Sequence, residues 1–351
     1  MQVYYNGMSE FPRGTGIGLG NFDGIHLGHS ALIDTLTEKC RDLNLHSMIY
    51  TFRNHPDTLL FKDKYTPVIL NEKQKIEILR QKGIDILYFE DFNESYSRLS
   101  PEEFVKKILV DKFNVKMAVI GYDYTFGCLG KGNAEDMKRL GEIYGFMVEV
   151  IPPVKMLYGR TEVEISSTLL RQFISEGDME GFYRFTGRYY SILGQVREGR
   201  MVGRSLGFPT ANIIPDNGYA LPSAGVYATQ TMLWGRMHTR AVSGGNDQGR
   251  MHTRAVSGGN DQGRMHTRAV SGGNDQGRIF NSVTNIGNNP TFGLKQTTVE
   301  THIFDFEGKL YGSIIEVFFR KKMRSEVKFT DEKQLIEQIK NDIVSAKNYF
   351  L

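Results

Sequence analysis

The stretch Gly18-Leu19-Gly20-Asn21-Phe22-Asp23-Gly24-Ile25-His26-Leu27-Gly28-His29 decides how the first half of the chain folds. The run GIGLGNF reads as a strand. The segment HSALIDTLTEKCRDL then brings Leu32, Ile33, Leu36, Cys40 and Leu43 onto one helical face, and HSMIYTF reads as a strand again. Strand, glycine-rich turn, helix and strand make a βαβ unit. In an open parallel sheet ligands bind beyond the carboxyl ends of the strands, where the free amides at a helix N-terminus attract phosphate. Gly20, Gly24 and Gly28 let the backbone approach a ligand, and His26 and His29, on a turn entering the helix, can aim at one anion. No Gly-Lys-Ser/Thr follows, so this is not a Walker A loop, and the glycine spacing is not the dinucleotide fingerprint. Two histidines could also be half of a metal site, but a third Cys, His or carboxylate is not obvious nearby.

Working outward, the alternation continues through QKIEILRQKG, IDILYFED, SPEEFVKKILVDKF, KMAVIGYD, AEDMKRLGEIYG and MVEVIPP. It predicts a parallel sheet with helices on its faces. One helix start is explicit: Ser100 caps, Pro101 suits the first helical position, and Glu103 completes a capping box. After the connector SSTLLRQFISEGDMEGFYRFTG the composition changes. Short β-like runs follow one another without helices (YYSILGQVRE, TANIIP, GVYATQTMLW, IFNSVTNIG, TTVETHIFDF, SIIEVFFRK), which predicts a small barrel. A terminal helix with Leu335, Ile336, Ile339, Ile343, Ala346 and Tyr349 on one stripe closes the chain. The expected domains are 1–183, including the connector, and 184–351.

Residues 235–276 are three identical copies of GRMHTRAVSGGNDQ, set between two runs that read as neighbouring strands. Perfect identity points to a recent or artificial duplication rather than a solenoid, whose units share a buried stripe and not every letter. Joining the chain across the repeat gives MLWGRIFNSV, a hairpin with Gly at its tip, so the repeat reads as an insertion at a hairpin end that carries no chemistry. Each copy has two Arg and one Asp, so the three copies contribute +3, the whole formal net charge of the 351 residues. The remaining body is neutral, which argues against a nucleic-acid partner. Two cysteines, Cys40 and Cys128, offer no disulfide framework and suit a reducing compartment. The first residues lack a basic run followed by an apolar one, and no stretch approaches the ~18 apolar residues of a membrane span. The expectation is a cytoplasmic protein without a membrane partner.

GNFDGIHLGH resembles the HxGH signature of nucleotidylyltransferases. With Phe22 and Asp23 it is similar to the adenylylation module of bifunctional bacterial riboflavin kinase/FAD synthetases. TFRNHP (51–56), GYDYTFGCLGKGN (121–133) and ISSTLLR (165–171) fall in that family's order. The resemblance implies a nucleotidylyltransferase-like α/β domain that joins FMN to the AMP part of ATP with release of pyrophosphate. It implies that His26 and His29 act on the triphosphate, that Gly20, Asn21, Phe22, Asp23 and Gly28 line it, and that Ser166, Ser167, Thr168 and Arg171 grip the outer phosphates. Asp123, Phe126 and Gly127 would shape the adenosine and flavin pockets, with His55 near the incoming phosphate.

The second constellation is GQVREGRMVGRSLGFPTANI (194–213). Its glycines, including Gly203 and Gly207, suit turns. Pro209 biases Phe208 toward an extended backbone, and Thr210 and Asn212, two apart, face one side of a strand. A hydroxyl and an amide oxygen there can hold Mg²⁺, which keeps waters and shares substrate phosphate oxygens. The run resembles the flavokinase module of the same enzymes, followed in order by GVYA (225–228), NIGNNPTF (285–292) and VETHIFDFEGKLYG (299–312). The resemblance implies ATP-dependent phosphorylation of riboflavin to FMN, with Glu300 serving the ribityl hydroxyl and Gly203, Gly207 and Pro209 near ATP or flavin. Arg324 and Lys328 read either as ligand contacts or as a basic surface patch. The rival readings are an adenylyltransferase whose kinase is silenced by the repeat, and a flavin-binding sensor without turnover.

Overall fold

A computed structural model describes residues 1–6, 11, 13–53, 66–198, 208–215, 218–236, 277–291 and 294–351. The repeat from 237 to 276, and with it His55, Gly203 and Gly207, lies outside the described residues. The chain divides into two compact units, one of Met1–Tyr190 with Asp216–Ser223 and one of Ser191–Pro215 with Ala224–Leu351. The division falls after Tyr190 and not at 183, because residue 183 lies inside a helix that Gly187 ends in the left-handed conformation.

The first unit contains β1 (Gln2–Tyr5), β2 (Thr15–Leu19), α1 (Leu27–Asp42), β3 (His46–Phe52), α2 (Glu72–Gln81), β4 (Ile86–Glu90) and α3 (Glu94–Ser97). There follow α4 (Pro101–Glu103, continuing as a π-helix over Phe104–Lys112), β5 (Val115–Gly121), α5 (Ala134–Tyr144), β6 (Met147–Ile151), the hairpin β7 (Lys155–Tyr158) and β8 (Thr161–Glu164), α6 (Ser167–Glu176) and α7 (Met179–Thr186). Six parallel strands run in the order β1-β4-β3-β2-β5-β6. The order reverses at β2, the strand that leads into the glycine-rich turn, and that is where such sheets open a crevice. β1 is an edge strand that the apolar periodicity did not reveal. The capping box forms as expected, with Glu103 N donating to Ser100 Oγ at 3.1 Å and Ser100 N to Glu103 Oε2 at 2.9 Å. On α1, Leu32, Ile33, Leu36 and Cys40 are buried, whereas Leu43, already at the C-cap, is exposed. Ile17, Leu19, Met48, Tyr50, Tyr88, Phe104, Phe113 and Ile120 form the core over one face of the sheet.

The second unit is a closed barrel of β9 (Tyr190–Arg197), β10 (Ala211–Pro215), β11 (Gly225–Arg236), β12 (Ile279–Thr291), β13 (Leu294–Ile303) and β14 (Ser313–Ser325), in the order β10-β13-β12-β11-β14-β9, with α8 (Glu332–Tyr349) following. Buried alternating positions include Ile315, Val317 and Phe319. They also include a hydroxyl seam, Thr231, Ser282, Thr229, Thr284 and Thr301, linked in that order at 2.8–2.9 Å so that each buried polar group has a partner. Val226, Ala228, Val283 and Phe304 pack with Ala346 of α8. The expected stripe of α8 needs one correction: Tyr349 is exposed, and Asp342 is buried within the stripe. β11 and β12 pair as the predicted hairpin up to Leu233, which exchanges backbone bonds with Gly277 and Arg278 at 2.7 and 3.3 Å. The ladder is therefore intact on both sides of the repeat.

Asp342 is buried because Arg324 meets it. The guanidinium donates to both carboxylate oxygens, at 2.8 and 2.6 Å, and to Ser325 O. Two of these three bonds fasten α8 to β14. Lys328 is exposed. Arg324→Ala is expected to destabilise the chain by about 3 kcal/mol, because it leaves a buried carboxylate with only Gln338 as donor. Chemical denaturation would measure this, and a change below about 0.5 kcal/mol would mean the pair is dispensable.

Candidate functional site

In the first unit the turn between β2 and α1 has an unusual backbone. Phe22, Gly24 and Ile25 have φ of 47°, 83° and 36°. A non-glycine residue in this region costs roughly 1–2 kcal/mol, so the surroundings must hold it. They do so through named contacts. Asp23, 4 % exposed, accepts from the amides of Ile69 (2.9 Å) and Leu70 (3.3 Å) and from Arg171 Nη2 (2.5 Å). Asp23 O accepts from Ser167 Oγ at 2.7 Å, and Asn21 O accepts from Thr51 Oγ1 at 3.0 Å and Lys75 Nζ at 2.8 Å. Only glycine suits position 24, where a Cβ would lie 2.7 Å from Leu170 Cδ1.

His26 is the N-cap of α1, and its Nδ1 accepts from His29 N at 3.2 Å. An accepting Nδ1 leaves the proton on Nε2. The two imidazoles stack at 3.8 Å, with Phe22 beside His29 at 5.2 Å. Burial, with a smaller contribution from the positive Arg188, brings His26 down to about 4. Burial, then His26, Lys75 and Arg188, holds His29 well below the usual histidine range. His29 Nδ1 is shut off from solvent without a hydrogen-bond partner, a debt that a ligand could settle. The turn thus presents two neutral N–H-bearing rings among fixed cations, at the N-terminus of a helix.

Other predicted residues divide. Ser166 is the N-cap of α6, accepting from Leu169 N at 3.2 Å, and Thr168 is exposed on its first turn. Arg171 donates through Nη2 to Asp23 and through Nε to Pro67 O at 2.8 Å. Asp23 and Arg171 therefore shape the turn through each other. Phe126, expected to line a pocket, is 5 % exposed in the core against Phe104 and Tyr124, and the Gly127 backbone (φ 74°) lies where a Cβ would meet Pro101 N at 2.7 Å. Asp123 is exposed. Lys75 and Tyr219 are additions that sequence reading missed. Lys75 shares the buried face of α2 with Leu79, four residues on, and burial lowers its pKa against the pull of Asp23 and Glu72. A lysine on an apolar stripe was the available signal. Tyr219 bridges Val68 and donates to Gln74 at 2.7 Å, beside the backbone that holds Asp23. A small cleft lined by Asn21, Asp23, Phe52, Arg53, Glu72 and Lys75 opens here. A roomier groove of about 260 Å³, lined by Lys39, Leu43, Met117, Met147 and Glu149, sits at the amino ends of β5 and β6, where an open parallel sheet does not place its ligands.

In the second unit, register builds the site. Asn212 on β10 is directly opposite Glu300 on β13 and Arg197 on β9, and Glu300 is opposite Asn285 on β12. Directly opposed residues share a face with Cβ atoms about 4.5–5.5 Å apart. A row Arg197, Asn212, Glu300, Asn285 therefore crosses four strands, and Arg197 and Asn285 join it only because of the pairing. His302, two residues beyond Glu300, bonds through Nδ1 to Pro209 O at 2.9 Å and so ties the turn carrying Thr210 to β13. Among the described residues no three His, Cys, Asp or Glu cluster as a metal cage, and no helix is long and apolar enough to cross a membrane.

Residues 8–169 match the FAD synthetase family model and residues 186–350 the riboflavin kinase model. The bifunctional riboflavin kinase/FMN adenylyltransferase of Buchnera aphidicola from Schizaphis graminum is 32 % identical over 98 % of this chain and 96 % of its own length. The enzyme so named from Bacillus subtilis is also 32 % identical, over 95 % and 91 %. A crystal structure from Streptococcus pneumoniae, described as a macrolide-efflux protein, superposes with a TM-score of 0.76 at 28 % identity over 97 % of this chain and 96 % of that one.

Proposed function

The chain belongs to the bifunctional riboflavin kinase/FMN adenylyltransferase family, and from that premise we propose how its two units divide the work. It phosphorylates riboflavin to FMN with ATP and transfers AMP from a second ATP to FMN, giving FAD and pyrophosphate. We assign adenylylation to the first unit, Met1–Tyr190 with Asp216–Ser223, and phosphorylation to the second, with residues 235–276 inactive in both.

In adenylylation an FMN phosphate oxygen attacks the α-phosphorus in line, and charge accumulates on the departing pyrophosphate. His26 and His29 would donate to the triphosphate as its charge raises their proton affinity. The backbone at Gly20, Asn21, Phe22 and Gly28 would cradle it, with Ser166, Ser167 and Thr168 at the N-terminus of α6 on the outer phosphates. Asp23 and Arg171 hold the turn, and His55, Asp123, Phe126 and Gly127 are assigned to the FMN and adenosine side, Phe126 through packing.

In the kinase, Glu300 would take or orient the ribityl hydroxyl proton as its oxygen attacks the γ-phosphorus. The observation that carries this is the direct opposition of Asn212 and Glu300 across β10 and β13. Thr210 and Asn212 offer a hydroxyl and an amide oxygen, which fits Mg²⁺ and not a softer ion. When bound, that ion would neutralise the phosphoryl oxygens. Gly203, Gly207 and Pro209 would complete the ATP and flavin side. The neutral body supports small-molecule substrates without a nucleic-acid partner, in the cytoplasm.

The deciding experiment supplies riboflavin, ATP and Mg²⁺, or FMN in place of riboflavin, and separates the flavins by chromatography. FMN followed by FAD is expected. FAD from supplied FMN alone would mean that the repeat silences the kinase, and flavin binding without any product would favour a sensor.

A further inference from the structure

The turn bearing His26 and His29 is also held by a side chain that belongs to none of the motifs. Arg188 Nη2 donates to Gly24 O at 2.5 Å and to Ile25 O at 3.0 Å. Its backbone is itself pinned. Gly187 ends α7 at φ 69°, and the buried Thr186 hydroxyl accepts from Arg188 N at 3.1 Å and sits 2.8 Å from Arg188 O and 2.9 Å from Phe182 O. The two carbonyls that Arg188 takes belong to residues in left-handed conformations. In a trans peptide the following N–H points away from the carbonyl. Fixing Gly24 O and Ile25 O on the guanidinium therefore directs the amides of Ile25 and His26 to the opposite side, as Ser167 does for the amide of Gly24.

We propose that Arg188 is a positioning residue for FMN adenylylation, locking the Phe22–Ile25 turn so that its amides and the two imidazoles meet the ATP triphosphate in one orientation. This rests on the placement of the triphosphate at that turn. The charge of Arg188 acts alongside its geometry. The ring of His26 is faced by His29 and Arg188, and that of His29 by His26, Lys75 and Arg188. Asp23, the carboxylate of the turn, is engaged by Arg171 and by the Ile69 and Leu70 amides. Both imidazoles are thus kept uncharged in the free enzyme, while the positive charge stays fixed on backbone carbonyls.

The test uses the full chain with Arg188→Gln and Arg188→Lys, assaying both activities in each preparation, and follows the His26 ring by NMR titration, assigned with His26→Asn. Arg188→Gln is expected to lower adenylylation kcat/KM for ATP on the order of 10- to 100-fold. KM for FMN and the kinase rate should stay near wild type, and the His26 midpoint should rise. Arg188→Lys should keep the wild-type midpoint and recover part of the rate. Undiminished adenylylation in Arg188→Gln, parallel loss of both activities, or a His26 midpoint that does not move would overturn the proposal. A parallel His29→Ala variant separates its failure from that of its premise: full adenylylation in His29→Ala removes the triphosphate from this turn altogether.

Discussion

Glu300→Gln is expected to lower FMN formation by on the order of 10²- to 10⁴-fold while FAD formation from supplied FMN is unchanged. The substitution is nearly isosteric. It keeps an oxygen opposite Asn212 and leaves the β10–β13 and β12–β13 ladders alone, so it removes only the capacity to accept a proton and the charge beside the phosphoryl oxygens. Because FAD formation is assigned to the other unit, it reports in the same tube whether the protein is folded. Retention of more than about a tenth of the kinase rate would move the base elsewhere, with the row containing Arg197 and Asn285 as the next place to look. Loss of both activities would contradict the separation of sites.

The converse is expected of His29→Ala. Adenylylation should fall by on the order of 10²- to 10³-fold, the range for removing one donor that meets developing charge, and riboflavin should still become FMN. His29 stacks on His26, donates its own backbone amide to that ring, and holds a buried Nδ1 with no protein partner. A kinase that collapsed with intact folding would refute the division of labour.

The same pair predicts a pH dependence of stability. The folded His26 binds a proton only near pH 4, against 6.5 when free, so the unfolded chain takes up protons first as pH falls. The contribution to stability is complete above about pH 6.5 and is lost as pH falls through about 4. His26→Asn keeps a side-chain acceptor at the N-cap without a titrating ring. It should therefore show a shallower fall in denaturation midpoint over that window than the wild type, and equal slopes would sink the reading.

Much of the architecture was legible because periodicity is local. The β2-turn-α1-β3 unit, the helix begun by Ser100 and the succession of strands after the connector all follow from residues that neighbour one another along the chain. β1 was illegible because a four-residue edge strand has too short a pattern, and Leu43 and Tyr349 were misjudged because a helical stripe does not say where its covering layer ends. At the sites, residue types were readable and their partners were not. Asp23 and Arg171 both belong to motifs, but that they answer each other over 148 positions is a property of the fold. That Arg324 meets Asp342 of α8 is likewise a property of the fold.

The α/β unit with its anion-seeking turn, the barrel that follows it, and the two chemistries implied by the motif order are written in the sequence. These rest on helical and strand periods, turn residues and charge counts, which need no knowledge of distant contacts. Only the tertiary structure decided which polar groups are spent and which remain for chemistry. It seated Lys75 and Arg188 on the carbonyls of the turn, paired Arg171 with Asp23, and aligned Arg197, Asn212, Glu300 and Asn285 across four strands. The physical reason is that burial makes every polar atom find a partner, and that partner is chosen by proximity in space between segments far apart along the chain.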